Sequence, residues 1–442
     1  MNKLLFLFGF LLMFGACKNQ SASKFDNVAY DRPEWLRSCN KKLQDVIVID
    51  IFTPPVGSRI FAYANIAAYE VLVHKDSSFL SLSRQLNGLD SIPQPDLNSE
   101  YCYDLASLIA FCTVAKKMVY SEYEFTDFMK SYIEKAKNEI QDTVLINNSV
   151  SYGTEVGKKI LAWSKKDNFA KSRTYERYIL KEGPQYWKPT LPEYMDAIEP
   201  YWNTIRPMVL DSAAQFKPAP PAVFDSTKGS VFYNLAKEVY DSSKVLTDEQ
   251  LNFLSFWDDN CKVSRTEGHL KYFIKKTQPG GHWVSIASKA TKMQNYSAIK
   301  TAQVMTITSI ALMDGFISCW DEKFRSNLIR PITYINRYID KEWKSVLQTP
   351  PFPEYTSGHS VISAAAATVL TKLVSDNFAF TDSTEYEYSL PVRLFSSFNQ
   401  AANEAAISRL YGGIHYREAV VNGAIQGRKV GNLILQEVIT SK

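Results

Sequence analysis

Residues 356–374 read TSGHSVISAAAATVLTKLV, a Ser-Gly-His step followed by a long run without glycine or proline. Residues 360–374 have the composition of a helix, so Ser357 and Gly358 stand where that helix begins. The first turn of a helix presents unpaired backbone N–H groups and the positive end of the helix dipole, which favour an anion. Gly358 has no side chain to keep a ligand away from the main chain. This stretch therefore predicts a helix that begins at an anion-binding loop.

Two further patterns flank this loop in the C-terminal third of the chain. Six residues separate Lys323 from Arg330, and five separate Arg409 from His415. The three cations would neutralise a tetrahedral oxyanion such as phosphate or vanadate, the arginines as forked donors and the lysine as a point charge. His359 and His415 suit two roles, one as ligand or nucleophile and the other as proton donor. Each pattern alone is more often an exposed charge or an ordinary helix start, but three in this order predict one oxyanion site.

Apolar residues recur at helical spacing along most of the chain. Residues 121–141 carry an apolar stripe at i, i+3, i+4 spacing, and Thr247 with Gln250 forms a capping-box pattern before another apolar run. Few segments show the alternation of strands, so we predict an all-α fold. The 442 residues, of which 45% are hydrophobic, suffice for a large globular chain. The net charge of +4 without a long basic run gives no reason to expect nucleic acid as a partner.

A stretch rich in proline and aromatic residues interrupts the helical pattern. Proline removes a backbone donor and restricts the residue before it, so long helices are not expected there. We predict an N-terminal helical lobe at residues 18–173, a linker or wrap at 174–225 and a C-terminal helical core at 226–442 that carries the anion site.

Small residues form a regular ridge in the last predicted helix. His415, Ala419, Gly423, Gly427 and Gly431 recur every four residues. Glycine costs a helix about 1 kcal/mol relative to alanine, so this repetition indicates that a second helix packs closely behind His415.

The N-terminus has the pattern of an export signal. Lys3 is followed by an apolar run from Leu4 to Phe14, too short to span a membrane as a helix, and by small residues before Cys17. This pattern indicates a lipoprotein signal at residues 1–17 that makes Cys17 the lipidated first residue. An ordinary cleaved signal is the alternative. Either interpretation predicts export, and the first predicts a periplasmic or cell-surface protein held on a bacterial membrane by its lipid.

The remaining cysteines are sparse. They show no zinc-ligand spacing, and we interpret all of them as structural. A pairing of Cys102 with Cys112 stays open as an alternative. The five are Cys39, Cys102, Cys112, Cys261 and Cys319.

Together the three patterns resemble the family of type 2 phosphatidic acid phosphatases (PAP2) and vanadium-dependent haloperoxidases. The family pattern is Lys-x6-Arg-Pro, then Pro-Ser-Gly-His, then Ser-Arg-x5-His-x3-Asp, and the match is strongest over residues 320–435. A looser similarity includes residues 257–260 and 280–283. The resemblance implies the helical bundle of acid phosphatases and vanadium haloperoxidases, with the N-terminal helices as an additional lobe. It implies an anion held by Lys323, Arg330, Ser357, Gly358 and Arg409.

The resemblance also implies roles for both histidines. His359 would be the acid–base group. His415 would be the axial vanadium ligand or, in a phosphatase, the nucleophile that becomes phosphohistidine.

Two positions depart from the family pattern. Thr356 replaces a proline, which should only loosen the turn before the anion loop. Ala419 stands where the family has an aspartate that orients the imidazole of His415 and raises its basicity. Glu418, three residues after His415 on the same predicted helix, is the candidate replacement.

The surroundings of the site favour the haloperoxidase branch. Trp320 and Phe352 resemble the aromatic residues on the halide side of vanadate in haloperoxidases, although both also suit a hydrophobic core. The length of the chain favours the same branch. The resemblance then implies a vanadate cofactor, with hydrogen peroxide, halide and an organic acceptor as substrates. Lys323 would activate the peroxide by hydrogen bonding, and His359 would manage protons.

Two alternatives stay open. A soluble PAP2-type phosphatase would hydrolyse phosphate monoesters through His415 without a cofactor. An oxyanion-binding lipoprotein without turnover is the second, because the aspartate is missing.

Several polar residues elsewhere are interpreted as structural. Arg265 and His269 echo the third pattern, but three residues separate them where five are required. Asp258, Asp259 and His282 at most line the cavity or pair with Arg409.

Overall fold

The computed structural model describes residues 30–260, 264–267, 270–273 and 276–442, with only the backbone described for 264–267 and 270–273. The predicted signal with Cys17, as well as Cys261, lies outside these residues, and so do the side chains of Arg265 and His269. The helices of the described part are α1 (Pro33–Ile49), α2 (Pro54–Leu72), α3 (Tyr103–Met118), α4 (Glu122–Ile140), α5 (Thr143–Ser164), α6 (Phe169–Ser172), α7 (Val231–Ser242), α8 (Asp248–Phe256), α9 (Pro279–Met293), α10 (Ala298–Ser326), α11 (Pro331–Tyr338), α12 (Gly358–Leu373), α13 (Phe398–Tyr411) and α14 (Arg417–Glu437).

Strands are short and confined, within the described residues, to two antiparallel hairpins. The strand β1 (Ser264–Glu267) pairs with β2 (Leu270–Phe273), and β3 (Phe380–Asp382) pairs with β4 (Arg393–Phe395). Neither hairpin builds a layer of its own. The prediction of an all-α fold is therefore confirmed.

The predicted helix starts are present. The Thr247 hydroxyl accepts from the Gln250 N–H at 3.2 Å, and the Gln250 side chain accepts from the Thr247 N–H at 2.8 Å, so α8 begins with a capping box. Helix α4 begins after Ser121 and turns its apolar stripe inward, with Phe125 and Ala136 buried. Capping chemistry therefore fixes the start of α8, whereas the Ser121 side chain makes no cap hydrogen bond at the start of α4.

Helix α10 is the central element of the bundle. It packs against α2, α9, α12 and α14, among others. By length and composition it is the one helix in the described part that is apolar enough to cross a membrane, and its most apolar stretch is entirely buried inside the protein. One cluster of buried hydrophobic residues extends from Trp35 to Val438. The N-terminal and C-terminal helices therefore share a core around α10.

The glycine ridge lies against α12, as its spacing predicts. A Cβ at Gly427 would lie 2.0 Å from the Val361 carbonyl oxygen, and one at Gly431 would lie 2.9 Å from that of Ala365. The two helices therefore approach each other closely only because these side chains are absent. His415 does not belong to the ridge, because α14 begins at Arg417.

The proline-rich segment forms an irregular wrap. All residues from 173 to 230 are described, and the one helical element among them is the 3-10 turn Trp202–Thr204. The buried carboxylate of Asp314 in α10 accepts the N–H groups of Met208, Val209 and Leu210 at 2.7, 2.8 and 3.1 Å. These bonds fasten the wrap to the central helix. The division at residues 18–173, 174–225 and 226–442 stays a prediction.

The described cysteines are buried free thiols at positions 39, 102, 112 and 319. The alternative pairing of Cys102 with Cys112 is therefore wrong. Burial raises the pKa of the Cys102 thiol to about 12 and also raises that of Cys319. Thiols that stay protonated are poor nucleophiles, which agrees with a structural role.

Candidate oxyanion site

The three sequence patterns meet at one buried cavity. Lys323 lies in the last turn of α10, Arg330 precedes α11, Gly358 begins α12, Arg409 lies on α13 and His415 follows α13. Each of the four charged or histidine residues is 2% exposed or less: Lys323, Arg330, Arg409 and His415. The cavity and its open mouth together contain about 850 Å³, and Gly358, His359, Arg409 and His415 are among the residues that line them. Lys323, Arg330 and Ser357 are not among these lining residues. The residues that the sequence singles out are therefore brought together.

The start of α12 is held rigidly at the cavity. The Ser357 hydroxyl caps the helix by accepting from the Ser360 N–H at 3.3 Å, and the Ser357 N–H donates to the Ala419 carbonyl at 3.1 Å. The first N–H groups of a helix have no intrahelical acceptor, so the first turn offers donors where Gly358 lines the cavity.

The three hydrogen-bond donors of the Lys323 ammonium are all used within the protein. Its ammonium donates to the carbonyls of Pro353, Glu354 and Thr356 at 3.1, 3.1 and 2.5 Å. Since an ammonium has three donors, a direct bond to an anion requires one of these bonds to be exchanged. Burial, reinforced by Arg330, lowers the pKa of Lys323 to about 7. Lys323 therefore fixes the segment before the anion loop and places its ammonium next to the site.

The two arginines are anchored by backbone carbonyls. Arg330 donates through Nε to Phe352 O at 2.9 Å and through Nη1 to Ile414 O at 2.8 Å. Its Nη2 has no hydrogen-bond partner among the described residues. Arg409 donates through Nη2 to Trp257 O at 2.5 Å. Burial lowers the pKa of both groups, that of Arg330 to about 10.

His415 is held from both ring nitrogens. Its Nδ1 lies 2.8 Å from Glu354 Oε1, and its Nε2 lies 3.1 Å from Arg330 Nη1. Because a guanidinium only donates, Nε2 must accept, and the ring proton is assigned to Nδ1, where Glu354 accepts it. The same carboxylate oxygen accepts the Tyr416 N–H at 2.9 Å. This tautomer keeps a lone pair on Nε2, which is what a metal ligand or a nucleophile needs.

The predicted replacement for the family aspartate, Glu418, is wrong. Its Oε2 accepts the Ala222 N–H at 3.0 Å. His415 precedes α14, so the helical spacing assumed for the two residues does not exist. Glu354, which is fully buried, takes the position instead. Burial raises the pKa of Glu354 to about 7, although Arg330 and Lys323 oppose the shift.

Thr356 does not loosen the turn, as its substitution for proline led us to expect. Its hydroxyl donates to Gln426 Oε1 at 2.7 Å, and Gln426 donates to the Ser318 carbonyl at 3.1 Å. These bonds tie the segment before the anion loop to α14 and α10.

His359 lies at the cavity beside a carboxylate. Its Nε2 is 3.6 Å from Asp259 Oδ2 and has no hydrogen-bond partner among the described residues. Burial, reinforced by Arg409, lowers the pKa of His359 to about 4. The ring is therefore neutral near pH 7 while the site holds no anion. Asp259, which we interpreted as structural, is a neighbour of the predicted acid–base group.

Trp320 and Phe352 form a pair on the cavity wall. Their ring centroids are 5.0 Å apart, and both residues line the cavity. The Lys323 Nζ lies 4.9 Å from the Phe352 centroid, and the Trp320 indole donates to the Ile198 carbonyl of the wrap at 3.2 Å. Trp320 is also a core residue, 1% exposed. Trp320 and Phe352 can therefore belong to the hydrophobic core and line the cavity at the same time.

Three buried cations lie close together at the site, and two nitrogen atoms there lack hydrogen-bond partners among the described residues. Burial lowers the pKa values of Lys323, Arg330 and Arg409 together, and Arg330 Nη2 and His359 Nε2 lack hydrogen-bond partners among the described residues. A tetrahedral oxyanion would supply both charge and acceptors, and the lone pair of His415 Nε2 would reach its central atom. The residues present therefore fit vanadate.

Two important residues lie outside the patterns recognised in the sequence. Glu354 stands three positions before Ser357, and an acid so close to an anion loop was a signal that could have found it. His282 was noted in a looser similarity and as a residue that could line the cavity, but its contact with Asp259 at 2.8 Å was not predicted. Both contacts join residues far apart in the chain, so local spacing does not reveal them.

Fold and site together define an all-α protein with a buried oxyanion-binding cavity. The family model described as the VCPO second helical-bundle domain matches residues 336–441. No curated protein matches the chain.

Solved structures extend the similarity over nearly the whole chain. A bacterial vanadium-dependent iodoperoxidase is 46% identical, covers 93% of this chain and 97% of its own, and superposes with a TM-score of 0.88. A holo-type bacterial vanadium-dependent chloroperoxidase is 18% identical, covers 88% of this chain and 93% of its own, and has a TM-score of 0.69. An apo-type structure of such a chloroperoxidase is 16% identical, with coverages of 88% and 95% and a TM-score of 0.67. The chloroperoxidases share the fold, and the iodoperoxidase shares sequence as well.

The chain belongs to the vanadium-dependent haloperoxidase family, whose members are enzymes that use vanadate. The roles of the individual site residues stay predictions.

Proposed function

We propose that this protein is an iodoperoxidase, which oxidises iodide with hydrogen peroxide at a vanadate held by His415. The observation that carries the halide is the 46% identity to a bacterial vanadium-dependent iodoperoxidase over 93% of the chain. The proposed reaction is I⁻ + H₂O₂ + H⁺ → HOI + H₂O, and hypoiodous acid then iodinates an organic acceptor.

The cofactor is proposed to be held by charge and by one histidine. Nε2 of His415 would be the ligand of vanadium, and its basicity would come from Glu354 at Nδ1, 2.8 Å away. Arg330, Arg409 and Lys323 would balance the charge of the oxygens, with the Ser357 hydroxyl and the Gly358 N–H as further donors. Arg330 has a free donor for this purpose in Nη2.

Vanadate would supply vanadium(V), a Lewis acid that activates hydrogen peroxide. The oxidation state of the vanadium itself does not change. His359 would handle the proton that the reaction consumes, because it lines the cavity and Asp259, 3.6 Å from its Nε2, favours the protonated ring. Lys323 would favour electron withdrawal from bound peroxide by its charge. A hydrogen bond from its ammonium to peroxide requires release of one backbone carbonyl.

We propose that Trp320 and Phe352 form the side of the cavity from which halide approaches. Iodide is large and weakly hydrated, so an apolar wall costs it less desolvation than it would cost a smaller halide. The positive charges of Lys323 and Arg330 lie about 5 Å from the Phe352 ring and would attract the anion to this wall.

The proposal is tested with purified protein that is first depleted of and then loaded with vanadate. Peroxide-dependent oxidation of iodide and bromide and hydrolysis of p-nitrophenyl phosphate are measured on one preparation. We expect vanadate-dependent oxidation of iodide well above that of bromide. Phosphate hydrolysis without halide oxidation would replace this function by the phosphatase alternative, and vanadate binding without either activity would leave an oxyanion-binding protein.

We further propose that the chain is exported and held on a bacterial membrane by a lipid on Cys17. The support is the short apolar N-terminal run followed by small residues and Cys17. Metabolic labelling with a fatty acid, followed by fractionation, tests this. Wild type should be labelled and membrane-bound, whereas Cys17→Ser should be neither; an unlabelled wild-type protein would contradict the proposal.

A further inference from the structure

His282 is buried between two carboxylates. Its Nδ1 lies 2.8 Å from Asp259 Oδ1, and its Nε2 lies 3.0 Å from Asp382 Oδ2. The histidine lies in the first turn of α9, Asp259 follows α8 and Asp382 ends β3. All three side chains are 1% exposed or less. These side chains are shielded from bulk solvent, so any charge on His282 must be balanced by the protein groups around it.

The two partners determine the charge of the ring. An ionised carboxylate only accepts hydrogen bonds, so a histidine between two of them donates from both nitrogens and is an imidazolium. The indole of Trp257 stacks on the ring, with centroids 4.5 Å apart and planes inclined by 20°, a favourable position for a cation. Burial opposes the charge, but Asp259 and Asp382 outweigh it and raise the pKa of His282 well above its usual range.

Asp259 faces the active site with its other oxygen. Its Oδ2 lies 3.6 Å from Nε2 of His359, the histidine that lines the cavity. A carboxyl group buried this deeply would ordinarily take up a proton. Burial does work in that direction, but His282 outweighs it and holds the pKa of Asp259 below its usual range.

The other charged groups near His359 and His282 do not take the place of Asp259. Asp258 is paired with Lys276 at 2.9 Å. Glu385 lies 3.9 Å from Nδ1 of His282, and burial together with Asp259 raises its pKa to about 8, so it is largely uncharged near pH 7. Arg409 approaches His359 from α13 and disfavours its protonated form. Asp259 is thus the main group that favours a proton on His359, with a smaller contribution from Asp258, and His282 keeps Asp259 charged.

We propose that His282 is a positioning residue for proton transfer: as a permanent imidazolium it keeps Asp259 ionised and directed at His359. The inference rests on the proposed function, in which His359 handles the proton of the peroxidase reaction. Without His282, the buried carboxylates of Asp259 and Asp382 would have no cation between them, and Asp259 would take up a proton. His359 would then lose its counter-charge and hold the required proton less readily.

A cation site is the competing interpretation. One atom each of Asp259, His282 and Glu385 lie within 4.8 Å of one another, and both Glu385 oxygens lack hydrogen-bond partners among the described residues. A metal ion would have to displace one of the two short hydrogen bonds of His282. The geometry favours the imidazolium, and metal analysis decides between the two.

The first measurement concerns the charge state and does not depend on activity. In full-length protein labelled with ¹⁵N-histidine, one of the five histidines should remain doubly protonated at pH 8, and its signal should be missing from His282→Gln. A neutral His282 at pH 8, or a stoichiometric divalent metal in the purified protein, would overturn the proposal.

The second measurement concerns catalysis. For vanadate-loaded His282→Gln we expect kcat for iodide oxidation to fall by ~10-fold, with the alkaline limb of the pH profile displaced to lower pH and vanadate affinity little changed. His74→Gln is the matched control, because His74 is also packed between aromatic rings but lies outside the cavity. Asp382→Asn should shift the profile in the same direction by less, and it serves if His282→Gln does not fold.

Failure of the proposed function and failure of the role of His282 would give different results. Wild type that binds vanadate but does not oxidise iodide would refute the proposed function. Active wild type whose His282→Gln and Asp382→Asn variants keep its pH profile would refute the role of His282 alone.

Discussion

Glu354 Oε1 lies 2.8 Å from Nδ1 of His415, so the residue that stands three positions before the anion loop orients the histidine that follows α13. The contact fixes the tautomer of His415 and keeps the lone pair on Nε2, where the vanadium of vanadate would have to replace Arg330 Nη1 as its partner. It also supplies the negative partner that the aspartate missing at Ala419 would have given.

Removal of this partner should weaken vanadate binding. We expect Glu354→Gln, which keeps the shape but loses the charge, to reduce vanadate affinity by ~10-fold, and Glu354→Ala to reduce it by up to ~100-fold. Equilibrium dialysis followed by vanadium analysis measures both. Glu418→Gln is the matched control and should stay near wild type, because Glu418 accepts the Ala222 N–H and makes no hydrogen bond to His415 among the described residues. A larger effect at Glu418 than at Glu354 would return the role to Glu418.

Affinity for sulfate, an oxyanion that forms no bond to His415 and so gains nothing from the charge of Glu354, should fall as pH rises through 7. Lys323 has a pKa lowered to about 7 and loses its positive charge above it, whereas Glu354 has a pKa raised to about 7 and gains its negative charge above it. Both changes make the site more negative, and binding linked to one proton weakens by about tenfold per pH unit. Calorimetric titration with sulfate, whose charge is constant in this range, measures the effect. Lys323→Met should bind weakly with a flatter profile; an unchanged slope in that variant and in Glu354→Gln would contradict the assignment.

His359 should matter for turnover more than for cofactor binding. We expect His359→Ala to lower kcat for iodide oxidation by ~10²-fold or more, the usual contribution of an acid–base group, while vanadate still binds. Steady-state kinetics at saturating vanadate, with bound vanadium determined on the same sample, separates the two effects. Full kcat in this variant would show that protons reach the reaction by another route.

The packing behind the site should tolerate no side chain on the glycine ridge. Gly427→Ala places a Cβ 2.0 Å from the Val361 carbonyl oxygen, so α14 must move away from α12. Overpacking of this kind costs about 1–3 kcal/mol, which thermal or urea denaturation detects. Lys429→Ala on the exposed face of α14 should be nearly neutral. Equal stability of the Gly427→Ala variant and wild type would mean that the helices are not in close contact.

Local features of the fold were predictable because their causes are local. The Thr247 capping box, the helix start at Ser357 and the small residues of α14 each depend on neighbours within a few positions, and all three are present. The helix start before His415 was predicted wrongly. Gly413 adopts a φ of +78° after α13, and the chain turns there before α14 begins at Arg417.

The site was predictable as a set of cations and histidines but not as a network. Glu354 meets His415 across 61 positions, and His282 meets Asp382 across 100, so only the tertiary fold reveals these pairs. The cations were recognisable because their spacing repeats a family pattern. The carboxylate partners of the histidines follow no such spacing and had to be found in the structure.

The central claim is that His415 and the buried cations around it form one vanadate site. The direct measurement is equilibrium vanadate binding to wild type and to His415→Ala, with thermal denaturation of both to show that the variant folds. We predict stoichiometric vanadate and a raised melting temperature for wild type, and neither response for a folded His415→Ala. Wild type that binds no vanadate, or a variant that binds it equally well, would contradict the account.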